Sequence, residues 1–233
     1  MVKILLIRHA ESEYNKLCND FRAQNSTSPG PDQNWSLDPK VIDADLTSLG
    51  ISQCQTASTP IRDNFPSIKY IFCSPLRRTI KTMHHCFTNY PGFPESIKIK
   101  VSPLIAEPLG CSGDTAFRTA DLAAEFGHLY NFDFLQEYPD LADQRIWFAH
   151  NVNEAGDCTI KKLVIAEWKA NGSEVGVIEV QRKEAEASGK TACDSKSVRA
   201  RVELELIPHL RMFCEANGVQ DGELAVVTHS TIL

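Results

Sequence analysis

The chain has 233 residues, of which 42% are hydrophobic, so it can form one large domain with a full apolar core. Its formal net charge of -6 argues against nucleic acid and anionic membranes as partners. We find no secretory signal and no apolar run near the roughly 18 residues of a membrane span. The eight cysteines form no regular framework, which predicts free thiols and a cytoplasmic location, or a nuclear one.

Short apolar runs predict four buried strands, at residues 2–7, 70–73, 97–101 and 224–227. Helical patterns are predicted at residues 48–59, 75–87, 121–130 and 198–216. We expect Thr47 to be the N-cap of the first helix. Ser74 is expected to cap the second, with Pro75 in its first helical position. Asn217 and Gly218 end the last helix.

The remaining segments carry weaker signals. Residues 10–45 are polar and rich in turn residues, which predicts a long surface excursion. We expect residues 139–149 to be irregular or a short helix, and residues 174–196 to include a solvated helix or loop. Residues 163–166 fit either a strand or a helix.

Alternating strands and helices predict a three-layer α/β sandwich, with a mostly parallel central sheet and helices on both faces. We expect residues 1–233 to form a single domain. Residues 110–195 are predicted to be an insert or cap over the site. The chain stops soon after the last strand, so the helix expected to follow it is missing.

Polar residues follow each of the four predicted strands. Arg8 and His9 follow the first, Arg78 the second, Glu107 the third and His229 the last. In an open α/β sheet, ligands bind beyond the carboxyl ends of the strands. Residues from both ends of the chain are therefore expected to share one site.

These residue types suit the chemistry of a phosphate ester. Arg8 and Arg78 can donate paired hydrogen bonds to an anion. An unprotonated imidazole can attack phosphorus, and a carboxyl group such as Glu107 can protonate the leaving group. Glu107 could also be a plain loop carboxylate, although we favour the catalytic role. The sequence shows no ligand cluster that requires a metal, and neighbouring His84 and His85 would point apart on a helix.

Four motifs, in order along the chain, resemble those of the histidine phosphatase superfamily, which includes the cofactor-dependent phosphoglycerate mutases. They are LIRHAES at residues 6–12, DLTSLG at 45–50 followed by Gln53, SPLRRTIKT at 74–82 and VTHS at 227–230. The resemblance implies that His9 is the nucleophile and Glu107 the general acid. It implies a phosphate pocket of Arg8, Arg78 and His229, assisted by Asn15. From the residues alone, Asn15 could equally cap a turn.

Two departures bear on the branch of this superfamily. The acid phosphatase branch has RHGxRxP, which residues 8–14 lack, and the mutase branch has ERxYG, which residues 106–110 lack. We therefore favour a phosphatase that acts on a small phosphomonoester. The alternatives are a phosphoglycerate-type mutase, or a catalytically weak regulatory or interaction protein that keeps the pocket. The physiological substrate and the oligomeric state stay open.

Overall fold

The computed structural model describes residues 2–24, 42–107, 112–117, 119–130, 146–148, 202–219, 222–230 and 232, with single helical residues at 170, 180, 183 and 199. Its strands are β1 Lys3–Arg8, β2 Ile68–Cys73, β3 Lys98–Val101, β4 Thr115–Phe117, β5 Ile146–Phe148 and β6 Glu223–Thr228. Its α-helices are α1 Glu13–Gln24, α2 Ser48–Asn64, α3 Arg77–Phe87, α4 Thr119–Phe126 and α5 Ile207–Ala216. Pro103–Ile105 and Ser112–Asp114 form 3₁₀ turns, and a π-helical stretch, Val202–Leu206, precedes α5.

The central sheet has the strand order β1-β6-β2-β3, and all of its neighbouring strands are parallel. The last strand along the chain, β6, therefore lies between the first two and is buried throughout. The predicted mostly parallel sheet is confirmed. Strands β4 and β5 form a separate antiparallel pair.

Alternate residues of the central strands point to opposite faces, and each face has its own apolar core. On one face, Ala225 and Val227 of β6 belong to a core that includes residues of α2, α3 and α4. On the other, Leu224 and Val226 pack with Leu210 of α5. Helices on both faces are thus confirmed. This arrangement explains why β6 is apolar at every position from 224 to 227.

The predicted surface excursion over residues 10–45 is wrong for its first part, because Glu13–Gln24 is the helix α1. Ser12 and Asn15 form a reciprocal cap: the Asn15 N–H donates to Ser12 Oγ at 3.2 Å, and the Ser12 N–H donates to Asn15 Oδ1 at 3.1 Å. Tyr14 and Cys18, one turn apart, are buried. The rest of the predicted excursion, residues 25–41, lies outside the described residues.

Helix α2 begins as predicted but ends later. Thr47 is its N-cap, because its Oγ1 accepts a hydrogen bond from the Gly50 N–H at 3.0 Å. The predicted end at residue 59 is wrong, since the helix continues through Pro60 to Asn64. Proline gives up one helical hydrogen bond. Burial of Ile61 on the sheet side favours continuing the helix past it.

The predicted start of α3 is wrong. Ser74 does not cap this helix and Pro75 is not its first residue, because the helix starts at Arg77 with Leu76 at the N-cap position. The first helical N–H, that of Arg77, donates to Asp43 Oδ1 at 2.7 Å. A carboxylate from a distant segment thus replaces the local cap, and the Ser74 hydroxyl is used elsewhere.

In the second half of the chain, the predicted irregular or helical segment at 139–149 is wrong at residues 146–148, which form strand β5. Isoleucine, tryptophan and phenylalanine favour strands once a partner is present, and β4 supplies it. Helix α5 ends at Ala216, followed by Asn217 and by Gly218 with a φ of 65°, as predicted. The predictions for residues 163–166 and 174–196 lie, apart from single residues, outside the described part.

The proposed insert over residues 110–195 stays a prediction. Its described part includes α4, whose Leu122 and Phe126 belong to the larger core. In the described ranges, no helix is long and apolar enough to cross a membrane.

The start of α2 packs tightly against the segment that follows β1. The Thr47 N–H donates to the Glu11 carbonyl at 3.0 Å, and the Glu11 N–H donates to Gln53 Oε1 at 3.0 Å. A Cβ atom added to Gly50 would lie 2.1 Å from the Glu11 carbonyl oxygen. Glycine at this position therefore lets the helix approach the backbone two residues beyond His9.

We expect Gly50→Ala to lower the free energy of unfolding by about 2–3 kcal/mol, because the new methyl group must push Glu11 and α2 apart. Urea unfolding measures this change, and Ser52→Ala, at an exposed position of the same helix, is the control. Alanine is intrinsically the better helix former. An unchanged or raised stability in Gly50→Ala would therefore contradict the close packing.

Candidate active site

Three adjacent strands end at the same level, and the residue after each of them enters the site. His9 follows β1, His229 follows β6 and Ser74 follows β2. The His9 N–H donates to the Thr228 carbonyl at 2.9 Å, and the Ser74 N–H donates to the Val227 carbonyl at 3.0 Å. The strand order thus places His229 between His9 and Ser74.

His9 is nearly buried and its ring orientation is set by its own loop. Its Nδ1 lies 2.8 Å from the Ala10 carbonyl oxygen, which can only accept, so Nδ1 carries the hydrogen. Burial, and after it the charges of Arg78 and Arg8, together lower the pKa of His9 to about 3, against the opposing effect of the hydrogen bond to the Ala10 carbonyl. At neutral pH the ring is therefore uncharged, with a lone pair on Nε2.

Thr82 fixes the loop that carries His9. The Ala10 N–H donates to Thr82 Oγ1 at 3.0 Å, and the Thr82 hydroxyl donates to the Arg78 carbonyl at 2.7 Å. The first turns of α3 therefore hold both the backbone next to His9 and the arginine that faces it. This gives a physical reason for a threonine four residues after Arg78 in the motif at residues 74–82.

His229 is fully buried and contacts three polar side chains. Its Nε2 lies 2.8 Å from Ser74 Oγ, and its Nδ1 lies 3.1 Å from Glu107 Oε2 and 3.3 Å from Arg78 Nη2. The ring centroids of His9 and His229 are 5.1 Å apart. The structure thus brings together His9, Arg78, Glu107 and His229, as the strand-end argument expected, while their roles stay predictions.

One proton can lie between Glu107 and His229. A carboxylate oxygen accepts and Arg78 can only donate, so Nδ1 of His229 cannot satisfy both neighbours at once. Either Nδ1 carries a hydrogen that it donates to Glu107, or it accepts one. The Ser74 hydroxyl at Nε2 can donate or accept, so it fits either state of the ring.

Arg78 is 4% exposed and is held by a segment that the sequence did not indicate. Its Nη1 donates to the Gly113 carbonyl, and its Nη2 donates to Asp114 Oδ1 at 3.3 Å. Its Nε is buried and has no hydrogen-bond partner among the described residues. A buried donor of this kind is an exception among proteins and calls for an explanation.

Arg8 and Asn15 lie on the open side of His9. Arg8 is exposed at the end of β1, and with His9 and Asn15 it lines a cavity of about 430 Å³. Arg78, Glu107 and His229 are not among the lining residues of this cavity. Asn15 has the capping role that the sequence left open, because its Oδ1 accepts from both the N–H and the hydroxyl of Ser12.

Sequence reasoning missed Ser74 as a partner of His229, and Gly113 and Asp114 as partners of Arg78. The sequence did carry a signal for Ser74, because this residue directly follows the predicted strand at 70–73 and begins the motif at residues 74–82. Gly113 and Asp114 carry no periodic or motif signal. They lie in the segment from 110 to 195 that was expected to be an insert.

The adjacent histidines of α3 do not point apart as expected, because their rings are in edge-to-face contact. His84 Nδ1 lies 2.7 Å from the Tyr130 hydroxyl, and the rings of His84 and His85 are 5.4 Å apart. In the described part of the chain, no group of three or more His, Cys, Asp or Glu side chains could hold a metal ion.

No protein-family model matches the chain. Over 85 residues it is 32% identical to 2,3-bisphosphoglycerate-dependent phosphoglycerate mutase 2 of Lactiplantibacillus plantarum, a match that covers 36% of this chain and 29% of the mutase. The chain thus matches less than a third of the length of that relative. The resemblance to the histidine phosphatase superfamily, which includes these mutases, is confirmed over that part of the chain.

Solved structures similar to this one include those of a phosphatase and a mutase. Phosphoserine phosphatase of Entamoeba histolytica is 18% identical, with a TM-score of 0.44, and the match covers 100% of this chain and 76% of that one. Phosphoglycerate mutase of Bacillus anthracis is 16% identical, with a TM-score of 0.48, covering 99% and 76%.

The low pKa of His9 predicts a specific pH dependence of stability. Unfolding returns its pKa from about 3 to 6.5, so the unfolded chain binds a proton here below pH 6.5 and the folded chain does not. This contribution to stability is complete above pH 6.5 and is lost as the pH falls towards 3. Between pH 7 and pH 5, wild type should lose about 2 kcal/mol more unfolding free energy than His9→Gln.

Urea unfolding at the two pH values measures this difference, with His128→Gln, an exposed position, as the control. The control should lose as much stability as wild type. An equal loss in wild type and His9→Gln would contradict a neutral, buried His9.

Proposed function

We propose that this protein belongs to the histidine phosphatase superfamily and hydrolyses small phosphomonoesters through a phosphohistidine on His9. The observation that carries this proposal is the neutral, buried imidazole of His9, with its Nε2 lone pair available, beside the buried cation Arg78. A nucleophile and an anion-binding group at the mouth of one sheet are what phosphoryl transfer requires.

In the first step, Nε2 of His9 attacks phosphorus and the bond from phosphorus to the ester oxygen breaks. Arg8, Arg78 and His229 stabilise the charge on the equatorial oxygens of the phosphoryl group, with Asn15 assisting. Glu107 donates a proton to the leaving oxygen. In the second step, water attacks phosphorus and gives a proton to Glu107, the bond from nitrogen to phosphorus breaks, and inorganic phosphate leaves.

The contact between Glu107 and His229 supports a proton-donor role for this pair. When a proton is held between Glu107 Oε2 and His229 Nδ1, which lie 3.1 Å apart, protonation of the leaving oxygen can be coupled to its transfer between the two groups. Glu107 is only partly exposed, which limits competition from water. A carboxylate formed in the first step is then ready to act as base in the second.

The departure at residues 106–110, which lack the ERxYG segment of the mutase branch, favours phosphatase over mutase activity. The match to a phosphoglycerate mutase over 85 residues favours the second candidate, a phosphoglycerate-type mutase. Both activities need the same nucleophile, and they differ in whether water reaches the phosphohistidine.

We propose a small-molecule phosphoester as the partner, rather than nucleic acid or a membrane. We also propose a cytoplasmic location, which fits the free thiols of the described cysteines.

Replacing His9 should remove activity without unfolding the protein. We expect His9→Ala to lower hydrolysis of phenyl phosphate by about 10³-fold or more, because alanine cannot form the covalent phosphoryl intermediate. Mass spectrometry after acid-free quenching should find one added phosphoryl group in wild type and none in His9→Ala. His128→Ala, at an exposed histidine, is the matched control.

Undiminished turnover in His9→Ala would overturn the nucleophile assignment. A phosphohistidine that forms but persists in water, and passes its phosphoryl group to an added phosphoglycerate, would favour the mutase instead.

The loss of activity caused by removing the proton donor should depend on the leaving group of the substrate. We expect Glu107→Gln to lower kcat/KM by about 10²-fold for alkyl phosphates and far less for nitrophenyl phosphate, whose leaving group needs no proton. A series of phosphates with leaving groups of increasing basicity measures this slope. Glu125→Gln, which removes a surface carboxylate paired with Arg77, is the control. Equal losses for good and poor leaving groups would exclude Glu107 as the donor.

A further inference from the structure

Both terminal nitrogens of Arg78 are held by one short turn, Ser112–Asp114. Nη1 donates to the Gly113 carbonyl, and Nη2 donates to Asp114 Oδ1 at 3.3 Å. The guanidinium group is planar, so acceptors at both terminal nitrogens fix the orientation of the whole group, including the direction of its Nε–H. Nε itself is buried and has no hydrogen-bond partner among the described residues. The turn therefore determines the direction in which this donor points.

The turn itself is held on two sides. Gly113 is buried, and a Cβ atom added to it would lie 2.8 Å from Cδ1 of Tyr14, a buried residue of α1. The backbone of the turn thus packs directly on the Tyr14 ring. Asp114 is followed at once by β4, which pairs with β5. A turn that packs on a helix and continues into a paired strand gives Arg78 a defined support.

Arg78 lies between this turn and the two histidines of the candidate site. Its Nη2 is 3.3 Å from His229 Nδ1, and the ring centroids of His229 and His9 are 5.1 Å apart. Only 4% of the Arg78 residue is exposed, so its donors are enclosed by protein. A rotation of the guanidinium group would therefore change which donors face the histidines.

Asp114 affects an anion at Arg78 in two opposite ways. Its negative charge, close to Nη2, opposes the binding of a second anion there. Its hydrogen bond holds the guanidinium group in place, which favours binding because hydrogen bonds weaken steeply when they are misaligned. The two effects differ in sign, so the response of anion binding to a substitution of Asp114 shows which effect is larger.

We propose that Asp114, together with the Gly113 carbonyl, is a positioning residue that orients Arg78 towards the phosphoryl group attacked by His9. Asp114 acts through Arg78 and does not itself touch the substrate. The turn occupies both terminal nitrogens, so the donors left for the phosphoryl group are correctly placed only while the turn holds them. This inference rests on the proposed function, because it concerns the anion of the same site.

The experiment is a double-mutant cycle between Asp114 and Arg78, with kcat/KM for nitrophenyl phosphate as the quantity measured. We expect Asp114→Ala to lower kcat/KM about tenfold, the size of one charge-assisted hydrogen bond. In the Arg78→Lys background the same change should lower it by less than about twofold, because lysine lacks the planar fork that the turn holds. Glu125→Ala, which removes the carboxylate paired with neighbouring Arg77, is the control and should leave kcat/KM unchanged.

A rise in kcat/KM in Asp114→Ala would mean that the carboxylate mainly repels the phosphate, and it would overturn the proposal. An unchanged value, or equal losses in the wild-type and Arg78→Lys backgrounds, would overturn it as well, while the proposed function would stand. Thermal unfolding checks that each variant is folded. If Asp114→Ala is not folded, Asp114→Ser, whose hydroxyl is too short to reach Nη2, replaces it with the same expectations.

If no phosphate ester is hydrolysed, the proposed function fails, and calorimetry with inorganic phosphate tests the positioning role instead. Wild type should then bind phosphate about tenfold more tightly than Asp114→Ala, and this difference should disappear in the Arg78→Lys background. Equal affinities in wild type and Asp114→Ala, or no binding of phosphate to wild type, would overturn the proposal.

Discussion

The parallel alignment of β1, β6 and β2 is the constraint on which the candidate site depends. Backbone hydrogen bonds continue one residue past the strand ends, from His9 to Thr228 and from Ser74 to Val227. Parallel strands leave their carboxyl ends at one edge, so side chains far apart in sequence become neighbours without any loop having to place them. The 5.1 Å between the two imidazole rings follows from this register.

Much of what looks like a catalytic motif supports the backbone around His9 rather than touching a substrate. Thr47, Gly50 and Gln53 hold the backbone of Glu11, two residues after the histidine. Thr82 holds Ala10 from the opposite helix. If His9 is the nucleophile that we propose, a loop fixed from two sides keeps it in position to react, which would account for the spacing of these polar residues.

The sequence predicted the sheet and the meeting of His9, Arg78, Glu107 and His229, because apolar strand runs and the strand-end rule depend only on local pattern and topology. It failed where a contact is set by tertiary structure. Asp43 caps α3 from a distant segment, so the local signal of Ser74 and Pro75 misled. Helix α1 was missed because its buried face is small, limited to Tyr14 and Cys18. Asp114 reaches Arg78 from a segment without periodicity, and nothing local could indicate that contact.

The charges of the buried residues in the candidate site depend on one another. Burial and two arginines keep His9 neutral, which leaves its nitrogen nucleophilic but also concentrates positive charge beside it. Asp114, whose Oδ1 lies 3.3 Å from Arg78 Nη2, offsets part of that charge at the buried guanidinium. In the proposed function, the incoming phosphate adds negative charge where Arg78 Nε has no hydrogen-bond partner among the described residues. The proposal thus assigns anion binding to a group whose position is already fixed, so that the free energy of ordering it is not drawn from substrate binding.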